Sequence, residues 1–425
     1  MERLVIQGQQ RVAGELTVQG SKNLTLPILC ACLLIPEPVV LTHCPRISDV
    51  EETLEMLRKL GVYVQQEGHT ILCDASQASP SGLSREMTQG NRMSILMLGA
   101  MVSRFGYGRI AYPGGCRIGK RPVDLHEMVL ESFGTELEDA DDGLEGTRKQ
   151  KNGCRISLPF PSVGATENAL LCACLSEGES EIVGAAREPE ITGLCRFLNG
   201  AGAQIRGLGT SRLQIGGVKR LHGTGYEIEA DRIVAGTYLT AAAVTGGECQ
   251  LWGVRPQQLS SYLDFLARLG CGLHLQEQGV RLTAPLRLTS RLRVKTEPYP
   301  GFPTDLQPMA VGALSVAEGE AELEESIFER RFDAAEEMRR FGARVQIAPP
   351  CISVRGVRRL HGADVTGRDL RGTAALLITA LAAEGETRLE GERYLKRGYE
   401  DMLRDLAQLG CGEIRKEAKE WQSYG

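Results

Sequence analysis

Residues 374–389 read Ala374-Ala-Leu-Leu-Ile-Thr-Ala-Leu-Ala-Ala-Glu-Gly385-Glu-Thr-Arg-Leu389. The first ten of these are apolar almost all round. A helix with no polar face has to be buried, so this one belongs in an interior. Glu-Gly ends it and a short strand follows. The same order recurs upstream: Ala169–Gly178 before Ser180-Glu-Ile-Val, Tyr238–Gly247 before Glu248-Cys-Gln-Leu, and Pro308–Gly319 before Glu320-Ala-Glu-Leu. After each such strand comes a second helix, apolar on one face only, as Val50, Leu54, Leu57 and Leu60 show by their spacing. Each of these closes on glycine: Leu60-Gly61, Phe133-Gly134, Ala201-Gly202, Leu269-Gly270, Phe341-Gly342 and Leu409-Gly410. Glycine there is the left-handed stop of a helix. The interval is about 70 residues, which makes the chain six copies of one α/β unit. A solenoid of this period would carry polar caps at its ends, and none is present.

With 425 residues the chain exceeds one ordinary core, so six units imply two domains of three. A net charge of −5 argues against nucleic acid and against anionic membrane as partners. The longest apolar run, Leu24–Ile35, is too short to span a bilayer. Met1-Glu-Arg-Leu-Val-Ile carries no signal-like apolar stretch, and the thirteen cysteines lie mostly in apolar contexts without a Cys-x-x-Cys pair. Free thiols in a reducing cytoplasm follow. The six histidines show no ligand spacing, so no metal site is expected.

Polar clusters stand just before the interior helices: Ser21-Lys22-Asn23, Arg92, Ser162-Val163-Gly164, Arg232, Asp305 and Asp369-Leu-Arg371. Any one reads as a helix cap. Six in register, most with Lys or Arg, surround an anion with helix N-termini. Arg331 and Arg397 add guanidinium groups in loops after strands, suited to carboxylate and phosphate. Residues 113–126, Pro113-Gly-Gly-Cys116-Arg117-Ile-Gly-Lys120-Arg121-Pro122-Val123-Asp124-Leu125-His126, are too rich in glycine for a strand or helix. They read as a lid loop carrying a thiol in positive potential, which favours thiolate.

Together these motifs resemble the enolpyruvyltransferase family, in its UDP-N-acetylglucosamine branch. The resemblance runs nearly end to end and rests on the Cys116 loop, Ser-Val-Gly-Ala-Thr at 162–166, Arg187-Glu-Pro-Glu190, Phe-Pro-Thr-Asp305, Asp369-Leu-Arg371 and Arg397-Gly-Tyr-Glu400. It implies an α/β fold of two inside-out barrels, each of three units around buried helices, with the active site in the interdomain cleft. The domains would be 22–229, carrying the lid, and 1–21 plus 230–425, carrying Asp305, Arg331, Asp369, Arg371 and Arg397.

The implied reaction joins the enolpyruvyl group of phosphoenolpyruvate to the sugar 3-hydroxyl and releases phosphate, as a step of peptidoglycan precursor synthesis. By resemblance Cys116 is the acid and can form a covalent adduct, Asp305 is the base, and Asp369 shares the proton work. Lys22, Arg121 and Arg397 hold phosphate; Arg331 and Arg371 lie near the carboxylate; Asn23 also contacts phosphoenolpyruvate. Asn23, Arg92, Arg121, Pro122, Val123, Asp124, Leu125, Ser162, Val163, Gly164, Asp305 and Ile327 line the nucleotide-sugar site. The resemblance implies no cofactor, a monomer, and a lid that excludes water.

Some positions depart from the pattern. Ser21 replaces the usual alanine, Tyr394-Leu-Lys396 replaces His-x-Asp, Val234 replaces glutamate, and Asn91 and Met93 flank Arg92 unusually. Ser21 is reminiscent of the sister 5-enolpyruvylshikimate-3-phosphate synthases, which lack the cysteine loop. That activity, and a non-catalytic paralogue that binds nucleotide sugar, remain the alternatives.

Overall fold

The computed structural model describes residues 2–90, 92–112, 123–140 and 143–418. Cys116, Arg121 and Pro122 therefore lie outside the described residues. The described chain divides into two compact units, one of residues 2–18 with 230–418 and the other of 19–229. Residues 19–21 group with the second, where Ser21 N–H donates to the Glu229 carbonyl at 2.8 Å.

Each unit is built on three interior helices. In residues 19–229 they are Lys22–Cys32, Ser94–Phe105 and Val163–Cys174. In the other they are Arg232–Val244, Gln307–Val316 and Leu370–Ala382. Arg232–Val244 is buried at every residue, as expected of a sequence with no polar stripe. Hydroxyls on such helices need partners in the same apolar surroundings. Thr25, Ser103, Thr237, Thr240, Ser315 and Thr379 each donate to the carbonyl one turn back, at 2.6–2.9 Å. The expected helix Pro308–Gly319 stops at Val316; Ala317 turns extended, and Gly319 belongs to the strand Glu318–Glu324.

Among the described residues the strands form six sheets, three per unit, with one plan. In five of them the strand after the interior helix pairs antiparallel on one side and parallel with a strand on the other; for Tyr107–Ala111 the parallel side is the single bridge of Ile110 with Leu83. Glu179–Val183, for example, pairs antiparallel with Arg212–Gly216 and parallel with Arg155–Ser157. The six helix-closing glycines all take positive φ, from +78° at Gly134 to +97° at Gly202 and Gly270. A left-handed residue turns the chain from the outer helix back into the sheet.

The repeat also explains why one unit uses both ends of the chain. In the sixth sheet the place of the second hairpin strand is taken by Glu2–Gln7, antiparallel to both Glu386–Glu390 and Ile414–Ala418. Ala13–Thr17 then supplies the parallel strand beside Glu248–Trp252. Sheets thus cover helices in both units, the α/β inside-out arrangement. Between them lie two separate apolar cores, one per unit.

Candidate functional site

In the unit of residues 230–418, Asp305 lies in a 3-10 turn, Thr304–Leu306, that leads into the helix Gln307–Val316. Arg331 Nη2 donates to its Oδ1 at 2.8 Å, and Arg371 Nε lies 3.5 Å from its Oδ2. The arginine side chains are 5% and 3% exposed and the carboxylate 28%, so the pairs sit at the rim of the interior with one end open. Arg331 Nε is buried and has no acceptor among the described residues. Arg371 Nη1 reaches Tyr399 Oη at 3.4 Å, and Tyr399 Oη meets Thr237 Oγ1 at 2.8 Å. Burial works against the Arg371 charge, but Tyr399, Asp305 and Asp231 outweigh it and hold its pKa above the ordinary value. Burial pushes the Tyr399 phenol up, against the pull of Arg371.

Asp369 is the cap of the helix Leu370–Ala382: its Oδ1 accepts from Arg371 N at 3.0 Å and Gly372 N at 2.9 Å. Asp231 caps Arg232–Val244 in the same way. Arg397 ends a 3-10 turn, Glu392–Arg397, and is half-buried, while Lys396 beside it is exposed. Ile327 is half-buried and its N–H donates to Glu325 Oε1 at 2.9 Å.

In the unit of residues 19–229, Lys22 opens its interior helix and its Nζ lies 2.6 Å from Asp49 Oδ2. The Asn23 amide is half-buried and makes no hydrogen bond among the described residues. Ser162 caps the helix Val163–Cys174, its Oγ accepting from Ala165 N at 3.3 Å. That leaves the first helical N–H groups, at Val163 and Gly164, directed at whatever anion docks there. Val123 precedes the helix Asp124–Ser132, and Asp124 Oδ1 accepts from Leu125 N at 2.9 Å.

The next residue, His126, ends the glycine-rich motif. It stands against Gly164, where an added Cβ would fall 2.8 Å from the ring. Asn168 Nδ2 donates to the Ile95 carbonyl at 3.2 Å and meets His126 Nδ1 at 3.1 Å. An amide N–H facing Nδ1 makes Nδ1 the acceptor and leaves the proton on Nε2. Burial and the Arg92 guanidinium hold His126 down at about 4, so the ring is neutral. Arg92, His126 and the Gly164 turn are thus gathered at one place, while Lys22 is gathered with Asp49. Asp49 and Asn168 carry no signal in the sequence, because each meets its partner from another helix.

Residues 6–406 match the model of the EPSP synthase (3-phosphoshikimate 1-carboxyvinyltransferase) family. A relative from Caldanaerobacter subterraneus subsp. tengcongensis, named UDP-N-acetylglucosamine 1-carboxyvinyltransferase 2, is 41% identical over 98% of this chain and 100% of its own. A UDP-N-acetylglucosamine 1-carboxyvinyltransferase from Nitratidesulfovibrio vulgaris is 42% identical over 99% and 100%. Among solved structures, the enolpyruvyl transferase NikO from Streptomyces tendae is similar with a TM-score of 0.88, 25% identity and 98% of each chain covered. An EPSP synthase from Acinetobacter baumannii shares the fold, with a TM-score of 0.76 at 17% identity over 98% and 100%.

Proposed function

Because the chain belongs to the EPSP synthase family, and within it to the UDP-N-acetylglucosamine 1-carboxyvinyltransferases, we propose that it transfers the enolpyruvyl group of phosphoenolpyruvate to the 3-hydroxyl of UDP-N-acetylglucosamine with release of phosphate. This is a step in making peptidoglycan precursors, carried out by a cytoplasmic monomer. The observation that carries the chemistry is the Asp305 carboxylate between the Arg331 and Arg371 guanidinium groups.

The 3-hydroxyl oxygen adds to the central carbon of phosphoenolpyruvate while its proton passes to Asp305. Cys116 gives a proton to the methylene carbon, making it a methyl group. In the second half the methyl carbon returns a proton to the Cys116 thiolate, the double bond reforms, and the carbon–oxygen bond to phosphate breaks as the leaving phosphate takes the proton held by Asp305. Lys22, Arg121 and Arg397 take the phosphate and stabilise the charge as it leaves. Arg331 and Arg371 take the carboxylate, which fits an Arg331 Nε that has no acceptor among the described residues. A substrate carboxylate on the two arginines shares their charge and leaves Asp305 a stronger proton acceptor. Asp369 shares the proton work through Oδ2, which makes no hydrogen bond among the described residues. Asn23, Arg92, Val123 to Leu125, Ser162 to Gly164 and Ile327 hold the nucleotide sugar, the neutral His126 serving as one of its neighbours.

The test is phosphate release from phosphoenolpyruvate with each of two acceptors. Release is expected with UDP-N-acetylglucosamine and not with shikimate 3-phosphate. The reverse would move the chain to the sister activity. No release with either, from folded protein that binds the nucleotide sugar, would make it a binding paralogue.

A further inference from the structure

Glu325 is 3% exposed, and no cation lies within ion-pair distance of it among the described residues. A buried carboxylate without a counter-charge is costly unless donors surround it. Here they do. Its Oε1 accepts from Thr296 Oγ1 at 2.9 Å, from Ile327 N at 2.9 Å and from Phe328 N at 3.1 Å. Its Oε2 accepts from Thr304 Oγ1 at 2.9 Å. Thr304 Oγ1 in turn accepts from Arg331 Nη1 at 2.9 Å.

The direction of this chain is fixed by proton count. A threonine hydroxyl has one proton, and a carboxylate beside it can only accept. With that proton given to Glu325, the lone pairs of Thr304 face Arg331. Thr304 and Asp305 are consecutive, so the two Nη atoms of Arg331 are gripped by neighbouring residues, Nη1 by the hydroxyl and Nη2 by the carboxylate at 2.8 Å. Gln307 Nε2 holds the Arg331 carbonyl at 3.1 Å from the other side. Two fixed points set the plane of a guanidinium, and with it the direction of the remaining Nε.

We infer that Glu325 is a positioning residue: through the Thr304 hydroxyl it orients Arg331 against Asp305, and through its other oxygen it shapes the turn that presents Ile327. Nothing in the sequence marks it, since it stands beside two other glutamates, Glu322 and Glu324, whose side chains are partly exposed. The inference rests on Asp305 and Arg331 acting as proposed above.

Thr304→Val keeps the shape and removes the hydroxyl, leaving the Ile327 turn capped. It should lower kcat about 10- to 100-fold, the scale of a lost hydrogen bond to a charged group, and raise the KM for phosphoenolpyruvate. The KM for UDP-N-acetylglucosamine should hold. Thr304→Ser restores the hydroxyl and should restore kcat. Glu325→Gln turns a donor toward Thr304 in place of an acceptor and should act in the same direction as Thr304→Val; it decides the matter if that variant does not fold. Asp305→Asn is measured alongside. If it collapses while Thr304→Val and Glu325→Gln keep wild-type kcat and KM values, the positioning role is overturned and the base stands. A serine variant as poor as the valine also overturns it. An Asp305→Asn enzyme at wild-type rate would overturn the base itself.

Discussion

Gly99 tests how tightly the packing of an interior helix is tied to the turn at Ser162 to Gly164 that is proposed to hold the nucleotide sugar. It lies within Ser94–Phe105, and a Cβ added there would fall 1.8 Å from Asn168 Oδ1. In Gly99→Ala the Asn168 amide must retreat by more than an ångström. Its bonds to the Ile95 carbonyl at 3.2 Å and to His126 Nδ1 at 3.1 Å are then lost. Two such bonds amount to about 1–3 kcal/mol, and forcing a methyl into a packed core adds about 1–3 kcal/mol. Alanine in place of glycine returns about 1 kcal/mol of helix propensity. The net cost is about 1–5 kcal/mol.

Asn168→Ala removes the obstacle, so the double variant should be no less stable than Asn168→Ala alone. That is a coupling of at least about 1 kcal/mol, the lower end of the Gly99→Ala cost. Denaturant unfolding of the four proteins measures it, and the KM for UDP-N-acetylglucosamine, raised in Gly99→Ala, reports the displaced His126. Additive effects within about 0.5 kcal/mol would refute the contact.

Ser21→Ala removes a buried hydroxyl that has no partner among the described residues, and should stabilise the protein by about 1 kcal/mol; a lower unfolding midpoint would mean the hydroxyl is bonded. His126 is held below its ordinary 6.5, at about 4, so between those values the unfolded chain carries a proton that the folded one lacks. Stability therefore falls as pH drops through that window, by about 2–3 kcal/mol, and His126→Asn should flatten the fall; parallel profiles would contradict it. Burial pushes the Cys44, Cys195, Cys249 and Cys271 thiols up to about 12, leaving them unreactive near neutrality. Alkylation by the epoxide fosfomycin should then stop in Cys116→Ser, and continued labelling would point to one of the two half-buried thiols, Cys154 or Cys351.

What could be read from the sequence is what repeats locally. Six glycines at one interval end six outer helices with positive φ, and helices without a polar stripe are interior, because helix caps and burial depend on near neighbours. Lys22, Arg92, Ser162, Asp305 and Arg371 could be picked out for the same reason: each stands at the start of such a helix. Their partners could not. Asp49 reaches Lys22 from an outer helix, Asn168 reaches His126 from another unit of the repeat, and Glu325 reaches Asp305 only through Thr304 and Arg331. Glu2–Gln7 pairs with Glu386–Glu390, at the other end of the chain. Such pairings are set by the tertiary fold, and no local pattern encodes them.

The most direct test is a competition. Protein, phosphoenolpyruvate and equal amounts of UDP-N-acetylglucosamine and shikimate 3-phosphate are incubated, and the products are resolved by mass spectrometry with the linkage placed by NMR. Transfer as proposed puts one enolpyruvyl ether on the 3-oxygen of UDP-N-acetylglucosamine, with one phosphate released per product. An enolpyruvyl ether on shikimate 3-phosphate, or no enolpyruvyl ether on either acceptor, would contradict it.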